Sequence, residues 1–307
     1  MEIKTKLCKK EIISQMKKFR GTGVAIITPF NQDKSIDYNA LEKLVEYLIT
    51  NGVDYLVVQG TTGESVTLTN EEKKQVLAFV VKVNNNRLPI VLGLGGNNTQ
   101  AILDALSTTD FTGVDALLSV SPYYNKPTQE GIYQHYKAIA EKSPLPIILY
   151  NVPGRTSSNI AAATTLRLAN DFKNIIAVKE ASGNLEQCME IIQQKPEGFL
   201  VISGDDALTL PFVAAGGDGV ISVIANAFPK GFSTMVKEAL SGNIANARKL
   251  HYQHFEIINY LFCDGNPAGI KATLKVLGIT GDTVRLPLVN VTAATFEKIK
   301  ALTNKII

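Results

Sequence analysis

The sequence predicts an α/β fold, in which strands and helices alternate as a (β/α)8 barrel with a three-helix appendage at the carboxyl end. Two observations predict it. From Gly21 onward, an apolar strand, a polar loop, an amphipathic helix and a turn recur eight times, and the strand pattern stops after residue 241. Strands that alternate with helices indicate a parallel sheet. Eight units favour a closed TIM barrel over an open doubly wound sheet, which usually has fewer strands and a phosphate-binding fingerprint.

The predicted strands are short apolar runs without helical period, as in strands that are buried on both faces. They lie near 23–28, 54–59, 89–94, 114–120, 146–150, 174–179, 199–203 and 219–224. The barrel helices lie near 38–50, 70–84, 98–109, 128–142, 161–170, 184–195, 206–215 and 229–240, and the appended helices near 243–263, 266–278 and 292–306. We expect Asp37 and Asn70 to cap the first two helices.

The chain divides into three segments. We expect residues 1–18 to form an N-terminal extension outside the fold, because they have no core-forming pattern and no apolar region of a signal peptide. Residues 19–241 then form the barrel that carries the active site, and residues 242–307 form the C-terminal helical region. No flexible linker separates these last two segments.

Composition and charge exclude several classes of protein. The net charge of the 307 residues is +3, but residues 1–20 hold seven Lys or Arg and two Glu, which leaves −2 for the rest. A slightly negative domain does not match nucleic acid, and no apolar run is long enough to span a membrane. The three cysteines are far apart and in no metal-binding spacing, so we expect a reducing, cytoplasmic location.

One strand end carries the residue on which the functional prediction depends. Lys179 ends the predicted strand 174–179, and active sites of such barrels are built at the carboxyl ends of strands. Burial there disfavours an ammonium, and the free amine is the form that attacks a carbonyl to give a Schiff base. The plainer alternative is a lysine that leaves the strand end and pairs with Glu180. The other loops at the same end decide between the two.

Three of those loops carry suitable chemistry. Thr61 and Thr62 lie between two glycines, where hydroxyl and backbone N–H groups at a tight turn suit a carboxylate. Tyr150 ends the preceding strand and is placed to relay protons to an imine, with Thr61 as one link of a hydroxyl chain. Arg155 could take a substrate carboxylate through its planar guanidinium. The alternatives are an ordinary glycine turn and a surface arginine.

Metal and nucleotide chemistry are not indicated. His251 and His254 share a helix face without a metalloprotease pattern, which favours exposed histidines of the C-terminal region over a zinc site. The chain has no nucleophile elbow and no phosphate-binding loop. The glycine-rich run 93–97 lacks the full dinucleotide pattern, and we interpret it as close backbone packing.

Four motifs occur in order and at matching spacing. They are Gly60-Thr61-Thr62-Gly63-Glu64-Ser65, Tyr123-Tyr124-Asn125-Lys126-Pro127, Tyr150-Asn151-Val152-Pro153-Gly154-Arg155-Thr156 and Lys179-Glu180-Ala181-Ser182-Gly183-Asn184. Together they resemble the pyruvate-dependent class I aldolase family, and most closely its dihydrodipicolinate synthase branch. The resemblance covers about residues 19–290, and the combination of motifs is far more specific than any one of them.

The resemblance implies a catalytic set. Lys179 would form an imine with pyruvate, so that no metal or other cofactor is needed. Tyr150 would relay protons, with Thr61 between it and Tyr124 of a neighbouring subunit. A shared site of this kind implies an oligomer, and we expect a homotetramer built as a dimer of dimers.

The resemblance also implies the substrates. Thr61 and Thr62 would hold the pyruvate carboxylate, and the regions of Gly204 and Ile221 would complete the pocket. Arg155 would bind the carboxylate of L-aspartate 4-semialdehyde, which condenses with pyruvate at the committed step towards diaminopimelate and lysine. The alternatives are a sister aldolase for sugar acids, which would replace Arg155 by smaller or hydroxyl-binding residues, and a non-catalytic barrel that binds a keto acid.

Regulation by lysine is a further implication of the resemblance. Lysine-inhibited members carry a pocket at the dimer interface, and three residues here match it. They are Ser65, Asn97 and Tyr123, beside Val66, Asn70, Lys73 and Ala101. Ala101 stands where inhibited members have a glutamate, and Lys73 adds a like charge to the ligand amine. We therefore expect weak or absent inhibition.

Overall fold

The computed structural model describes residues 18–307, so the predicted extension lies outside the described residues except for Lys18. Eight parallel strands form a closed barrel in sequence order, in which β8 pairs with β1. The strands are β1 (Gly21–Ala25), β2 (Tyr55–Val58), β3 (Ile90–Gly93), β4 (Ala116–Val120), β5 (Ile147–Asn151), β6 (Ile175–Glu180), β7 (Leu200–Ser203) and β8 (Gly219–Ser222). The predicted TIM barrel is confirmed.

The helices also follow the prediction. They are α1 (Tyr38–Thr50), α2 (Asn70–Asn84), α3 (Thr99–Thr108), α4 (Gln129–Lys142), α5 (Pro153–Thr156), α6 (Ala162–Asp171), α7 (Leu185–Gln194), α8 (Thr209–Ala214), α9 (Pro229–Leu240), α10 (Ile244–Phe262), α11 (Ala268–Val276) and α12 (Ala293–Ile306). Helix α5 and three short 3-10 turns, Thr61–Gly63, Ser65–Thr67 and Ile224–Asn226, were not predicted. Within residues 18–307, every helix is too short or too polar to cross a membrane.

The first strand ends three residues earlier than predicted, and a buried side chain explains the difference. The Asn226 amide accepts a hydrogen bond from the Ile27 N–H at 3.2 Å and donates to the Ala25 carbonyl at 2.9 Å. It thereby takes two of the backbone groups that a longer β1 would offer to a neighbouring strand. The apolar run 26–27 is buried all the same, which is why its composition looked like strand.

Two apolar layers fill the molecule. The outer layer lies between the strands and the helices, and the inner layer fills the barrel. The inner layer includes Tyr55, Ile148, Tyr150, Ile202 and Ile221. Phe19 packs edge-on against Tyr55, with ring centroids 5.6 Å apart, near the amino ends of the strands. Side chains thus fill the barrel, and a ligand must bind at the carboxyl ends of the strands.

The same hydrogen-bonding arrangement occurs three times at the amino ends of the strands. Three aspartates each accept a hydrogen bond from the first N–H groups of a neighbouring strand and lie beside a lysine. The backbone bonds join Asp54 to Thr22 (2.8 Å), Asp115 to Ile90 (3.0 Å) and Asp218 to Val201 (2.9 Å), and the lysines are Lys237, Lys18 and Lys195. Because the strands end in satisfied backbone groups there, this end of the barrel serves stability.

Two predictions about individual side chains were wrong. Asp37 caps α1 as predicted, but the cap of α2 is Thr69. The Thr69 hydroxyl accepts a hydrogen bond from the Glu72 N–H, and the Glu72 carboxylate accepts one from the Thr69 N–H. This reciprocal pair satisfies two backbone donors, one more than an Asn70 cap would. His251 and His254 are buried, because α10 turns this face towards α9 and the rings of Phe228 and Phe232 lie near His254.

Candidate active site

Lys179 lies inside the barrel, where strand register brings it to Tyr150. The two residues are opposite each other across β5 and β6, and Lys179 is only 6% exposed. Its Nζ lies 4.3 Å from the centroid of the Tyr150 ring, within range of a cation–π contact. The amine forms neither a hydrogen bond nor an ion pair with any residue of 18–307. A buried lysine without a carboxylate is an amine available for chemistry.

Glu180 is not the partner of Lys179. Consecutive strand residues point to opposite faces, and the buried Glu180 carboxylate lies on the outer face of β6. There it accepts hydrogen bonds from Asn151 at 3.0 and 3.1 Å, from Gln187 at 2.9 Å and from the Ser182 N–H at 2.8 Å. The alternative in which Lys179 pairs with Glu180 is therefore wrong.

Gly204 leaves room for the lysine side chain. A Cβ atom at this position would lie 2.9 Å from Lys179 Cε and 2.6 Å from Ala181 Cβ. The Gly204 N–H donates to the Glu180 carbonyl at 2.7 Å, which fixes the approach of β7 to β6. Ile221 is 1% exposed and belongs to the inner layer together with Tyr150. The structure thus brings the predicted Gly204 and Ile221 to the interior that holds Lys179 and Tyr150.

The turn Thr61–Gly63 follows β2 at the same end of the barrel. Thr61 is exposed, Thr62 is buried, and the two residues open a 3-10 turn. The first N–H groups of such a turn have no acceptor within it. Gly63 packs closely, since a Cβ there would lie 3.1 Å from the Ile26 carbonyl oxygen. Free N–H groups and two hydroxyls at one turn suit an anion such as a carboxylate.

The residue after the turn anchors it to the C-terminal helices. Glu64 has a left-handed backbone (φ 52°) and forms an ion pair with Lys271 in which both side chains are fully buried. Glu64 also accepts from the Arg285 N–H at 3.0 Å, and Lys271 donates to the Thr283 carbonyl at 2.9 Å. Burial lowers the pKa of Lys271 to about 8, against the opposing attraction of Glu64.

A second contact from the same region reaches the turn directly. Asn266 Nδ2 donates to Thr62 Oγ1 at 3.0 Å, and Asn266 is 8% exposed. The residue lies between α10 and α11, more than 200 positions after Thr62 in the sequence. The Thr61–Gly63 turn is therefore supported by the C-terminal region at both Thr62 and Glu64.

Arg155 lies after β5, in the short helix α5. Pro153 begins this helix, and the Arg155 N–H donates to the Val152 carbonyl at 2.9 Å, which fixes the backbone. The side chain is exposed, and its guanidinium has no hydrogen-bond or ion-pair partner within residues 18–307. Its donors are free for a carboxylate.

The loop after β4 holds the two predicted tyrosines apart from this interior. Tyr124 is 89% exposed and has a φ of 72°, which is unusual for an aromatic residue. Asn97 donates to the Tyr123 carbonyl at 3.1 Å, and Asn125 donates to the Asn97 carbonyl at 3.0 Å, so the loops after β3 and β4 brace each other. Among the described residues, the hydroxyls of Thr61, Tyr150 and Tyr124 share no hydrogen bond, and the relay between them stays a prediction.

The glycine-rich run after β3 packs closely, as predicted. A Cβ at Gly93 would lie 2.3 Å from the Gln59 carbonyl oxygen, and one at Gly95 would lie 2.7 Å from the Val120 backbone nitrogen. These contacts let β3 and its loop approach both neighbouring strands.

Comparisons with known proteins show the family of this chain. A model of the dihydrodipicolinate synthetase family matches residues 18–306. The chain belongs to this family. It is 55% identical over 289 residues to the 4-hydroxy-tetrahydrodipicolinate synthase of Phocaeicola vulgatus, and the match covers 94% of this chain and 97% of that one.

Solved structures of the family share the whole fold. A monomeric dihydrodipicolinate synthase variant has a TM-score of 0.92 at 38% identity, over 95% of this chain and 98% of that chain. The chloride-inhibited dihydrodipicolinate synthase from Acinetobacter baumannii, complexed with pyruvate, has a TM-score of 0.90 at 40% identity, over 94% and 98% of the two chains.

Two residues of the site were missed by sequence reasoning. Lys271 carried a usable signal, because it lies three residues after Ala268 and three before Leu274 on the buried face of α11. A lysine in an apolar helical stripe needs a buried partner. Asn266 carried no comparable signal, since an asparagine before a proline is typical of an ordinary loop.

Proposed function

We propose that this chain catalyses the Schiff-base condensation of pyruvate with L-aspartate 4-semialdehyde, as a 4-hydroxy-tetrahydrodipicolinate synthase does. The observation that carries the proposal is the buried Lys179 amine, which lies 4.3 Å from the Tyr150 ring centroid and has no carboxylate partner among the described residues. The family and the 55% identity to a synthase of this name support the same reaction. Such a reaction is the committed step towards diaminopimelate and lysine.

The chemistry begins at the lysine. Lys179 Nζ attacks the C2 carbonyl of pyruvate, and loss of one water leaves the imine. The imine nitrogen then takes up a proton and a C3 proton leaves, which gives the enamine. Tyr150, which lies opposite Lys179 in the strand register, relays these protons. The Thr61–Gly63 turn holds the pyruvate carboxylate through the hydroxyls of Thr61 and Thr62 and through free N–H groups. No metal is required, because the imine nitrogen itself draws electrons from C3.

The aldehyde is the second substrate. Carbon C3 of the enamine attacks the aldehyde carbon of aspartate semialdehyde, whose oxygen takes up a proton. The amino group of the adduct then adds to C2 and displaces the Lys179 amine, which closes the ring and regenerates the enzyme. Arg155 takes the carboxylate of this substrate. Its guanidinium is exposed and has no partner within residues 18–307, which supports the assignment.

The active form is proposed to be a homotetramer, a dimer of dimers. Tyr124 supports it, because this tyrosine is 89% exposed and has a left-handed backbone conformation, which is strained for an aromatic residue. In a neighbouring barrel, this hydroxyl would reach the mouth and join Thr61 and Tyr150. A strained, exposed side chain of this kind is typical of a residue that functions across an interface.

Feedback by lysine is proposed to be weak or absent. The three residues that match an inhibitory pocket, Ser65, Asn97 and Tyr123, lie in the loops after β2, β3 and β4. Ala101 is exposed on α3 and offers no carboxylate for an amino group, and Lys73 brings a like charge. A desolvated like-charge pair disfavours binding by several kcal/mol.

We also propose that the enzyme works in the cytoplasm. Both cysteines within residues 18–307, the buried Cys188 and the exposed Cys263, are free thiols. An exposed free thiol suits a reducing compartment.

The experiment that tests the function is trapping of the imine. Borohydride added with pyruvate should leave a three-carbon adduct on Lys179, located by peptide mass mapping. Lys271 is the matched control, because it is also a buried lysine but is paired with Glu64. Labelling of Lys271, or no label on folded enzyme, would contradict the proposal. Consumption of aspartate semialdehyde in a coupled assay then identifies the second substrate.

A further inference from the structure

Among residues 18–307, the Asn266 side chain has one hydrogen-bond partner, and that partner is Thr62. The donor is Asn266 Nδ2, at 3.0 Å from Thr62 Oγ1. The Asn266 Oδ1 atom is buried and has no partner within residues 18–307. An unpaired buried oxygen is unfavourable, so an apolar residue would serve packing alone better than Asn266 does. The geometry therefore points to a role that depends on the amide.

The direction of this hydrogen bond fixes the Thr62 hydroxyl. A hydroxyl carries one hydrogen and can both donate and accept. Because Thr62 Oγ1 accepts from Asn266, the Thr62 hydrogen remains free to be donated elsewhere. In the opposite orientation of the amide, the Thr62 hydroxyl would donate to Asn266 Oδ1, and its hydrogen would not be available to a ligand.

We propose that Asn266 is a positioning residue for the keto-acid substrate. By donating to Thr62 Oγ1, it turns the hydrogen of Thr62 towards the carboxylate held at the Thr61–Gly63 turn. An anion needs donors, and a hydroxyl that presented its lone pairs instead would repel it. The inference rests on the proposed function, since it takes the carboxylate of pyruvate as the ligand of this turn. Asn266 acts on that carboxylate only through Thr62.

Two variants test the direction of the bond. Asn266→Ala removes the donor, and Asn266→Asp keeps the size of the side chain but can only accept, which draws the Thr62 hydrogen away from the substrate. We expect KM for pyruvate to rise about tenfold in the first and more in the second, with kcat at saturating pyruvate changed less than threefold. A role in packing alone would lower stability without this split between KM and kcat.

A double-mutant cycle tests whether Asn266 acts through Thr62. On a Thr62→Val background there is no hydroxyl to orient, so adding Asn266→Ala should change KM for pyruvate by less than twofold. Asn84→Ala is the matched control, because Asn84 is another buried asparagine and its amide donates to the Leu88 carbonyl at 2.8 Å. Asn84 is the last residue of α2, in the connection that leads to the amino end of β3 and not at the barrel mouth. This control should lower the melting temperature and leave KM for pyruvate unchanged.

The outcomes separate this proposal from the proposed function. If pyruvate and borohydride do not label the parent enzyme, the function fails, and the positioning role for a keto acid fails with it. If the parent is labelled but the Asn266→Ala effect on KM persists in full on the Thr62→Val background, only the positioning role is overturned. An unchanged KM in both Asn266 variants that retain the parent melting temperature would overturn it as well.

Discussion

Replacement of Lys271 by methionine should strongly destabilise the protein. Lys271→Met keeps the length of the side chain but leaves the fully buried Glu64 carboxylate without its cation. Removing one partner of a buried ion pair costs about 3–5 kcal/mol. The Thr283 carbonyl, at 2.9 Å from Lys271 Nζ, also loses its donor, which adds about 1 kcal/mol. The backbone N–H of Arg285 still reaches Glu64 and limits the loss.

The expected loss can be converted to a melting temperature. An unfolding entropy of about 2.1 cal/mol/K per residue gives about 0.6 kcal/mol/K for the described part of the chain. A loss of about 4 kcal/mol then lowers the melting temperature by about 7 °C. Differential scanning calorimetry measures this shift, and borohydride trapping with pyruvate reports the state of the neighbouring turn.

A double variant supplies the control. Glu64→Gln combined with Lys271→Met removes both charges, and the pair of neutral side chains should regain more than half of the lost stability. A shift of less than 3 °C in Lys271→Met would refute the reasoning, because the carboxylate would then be stabilised without its lysine. A double variant less stable than Lys271→Met would refute it too, since charge would not be the cause.

Four further predictions follow from the site and its surroundings. Arg155→Ala should lower turnover with aspartate semialdehyde about a hundredfold, as expected for loss of ~3 kcal/mol from a bidentate charged hydrogen bond. If the variant shows normal turnover and intact imine trapping, Arg155 does not bind the aldehyde substrate. Tyr124→Phe should reduce kcat in a folded oligomer, and full activity in a stable monomer, measured by sedimentation, would exclude the shared site. Lysine titrated at fixed pyruvate should not inhibit by half below about 1 mM, a level that corresponds to ~4 kcal/mol of binding. Asp206 is buried after β7, where its carboxylate accepts hydrogen bonds from the Val223 and Ile224 N–H groups at 3.0 and 2.9 Å. Burial raises its pKa to about 6, so its ionised form destabilises the fold by about 3 kcal/mol above pH 6 and not below pH 4. Asp206→Asn keeps an acceptor oxygen and should melt about 5 °C above the parent at pH 7.5 and at the parent's temperature at pH 4. Equal melting temperatures of the two proteins at both pH values would refute the raised pKa.

The barrel and the position of Lys179 could be predicted, because both follow from local sequence patterns. Eight apolar runs alternate with eight amphipathic segments, and Lys179 ends one of the runs. The support of the Thr61–Gly63 turn could not be predicted, because Asn266 and Lys271 contact residues more than 200 positions earlier. No local pattern shows which distant side chains are in contact. The direction of hydroxyl hydrogens depends on those contacts, so it could not be predicted either.

The same long-range support sets the order in which the site becomes complete during synthesis. The Thr61–Gly63 turn and Lys179 leave the ribosome early, but Asn266, Lys271 and Arg285 follow only near the end of the chain. A nascent chain therefore contains Lys179 before it contains the residues that support the Thr61–Gly63 turn from the C-terminal region. A chain that stops before Asn266 would keep Lys179 and lose both attachments of the turn to the C-terminal region, while the Thr28 hydroxyl would still donate to the Gly63 carbonyl. We therefore expect incomplete chains to bind pyruvate more weakly than finished ones.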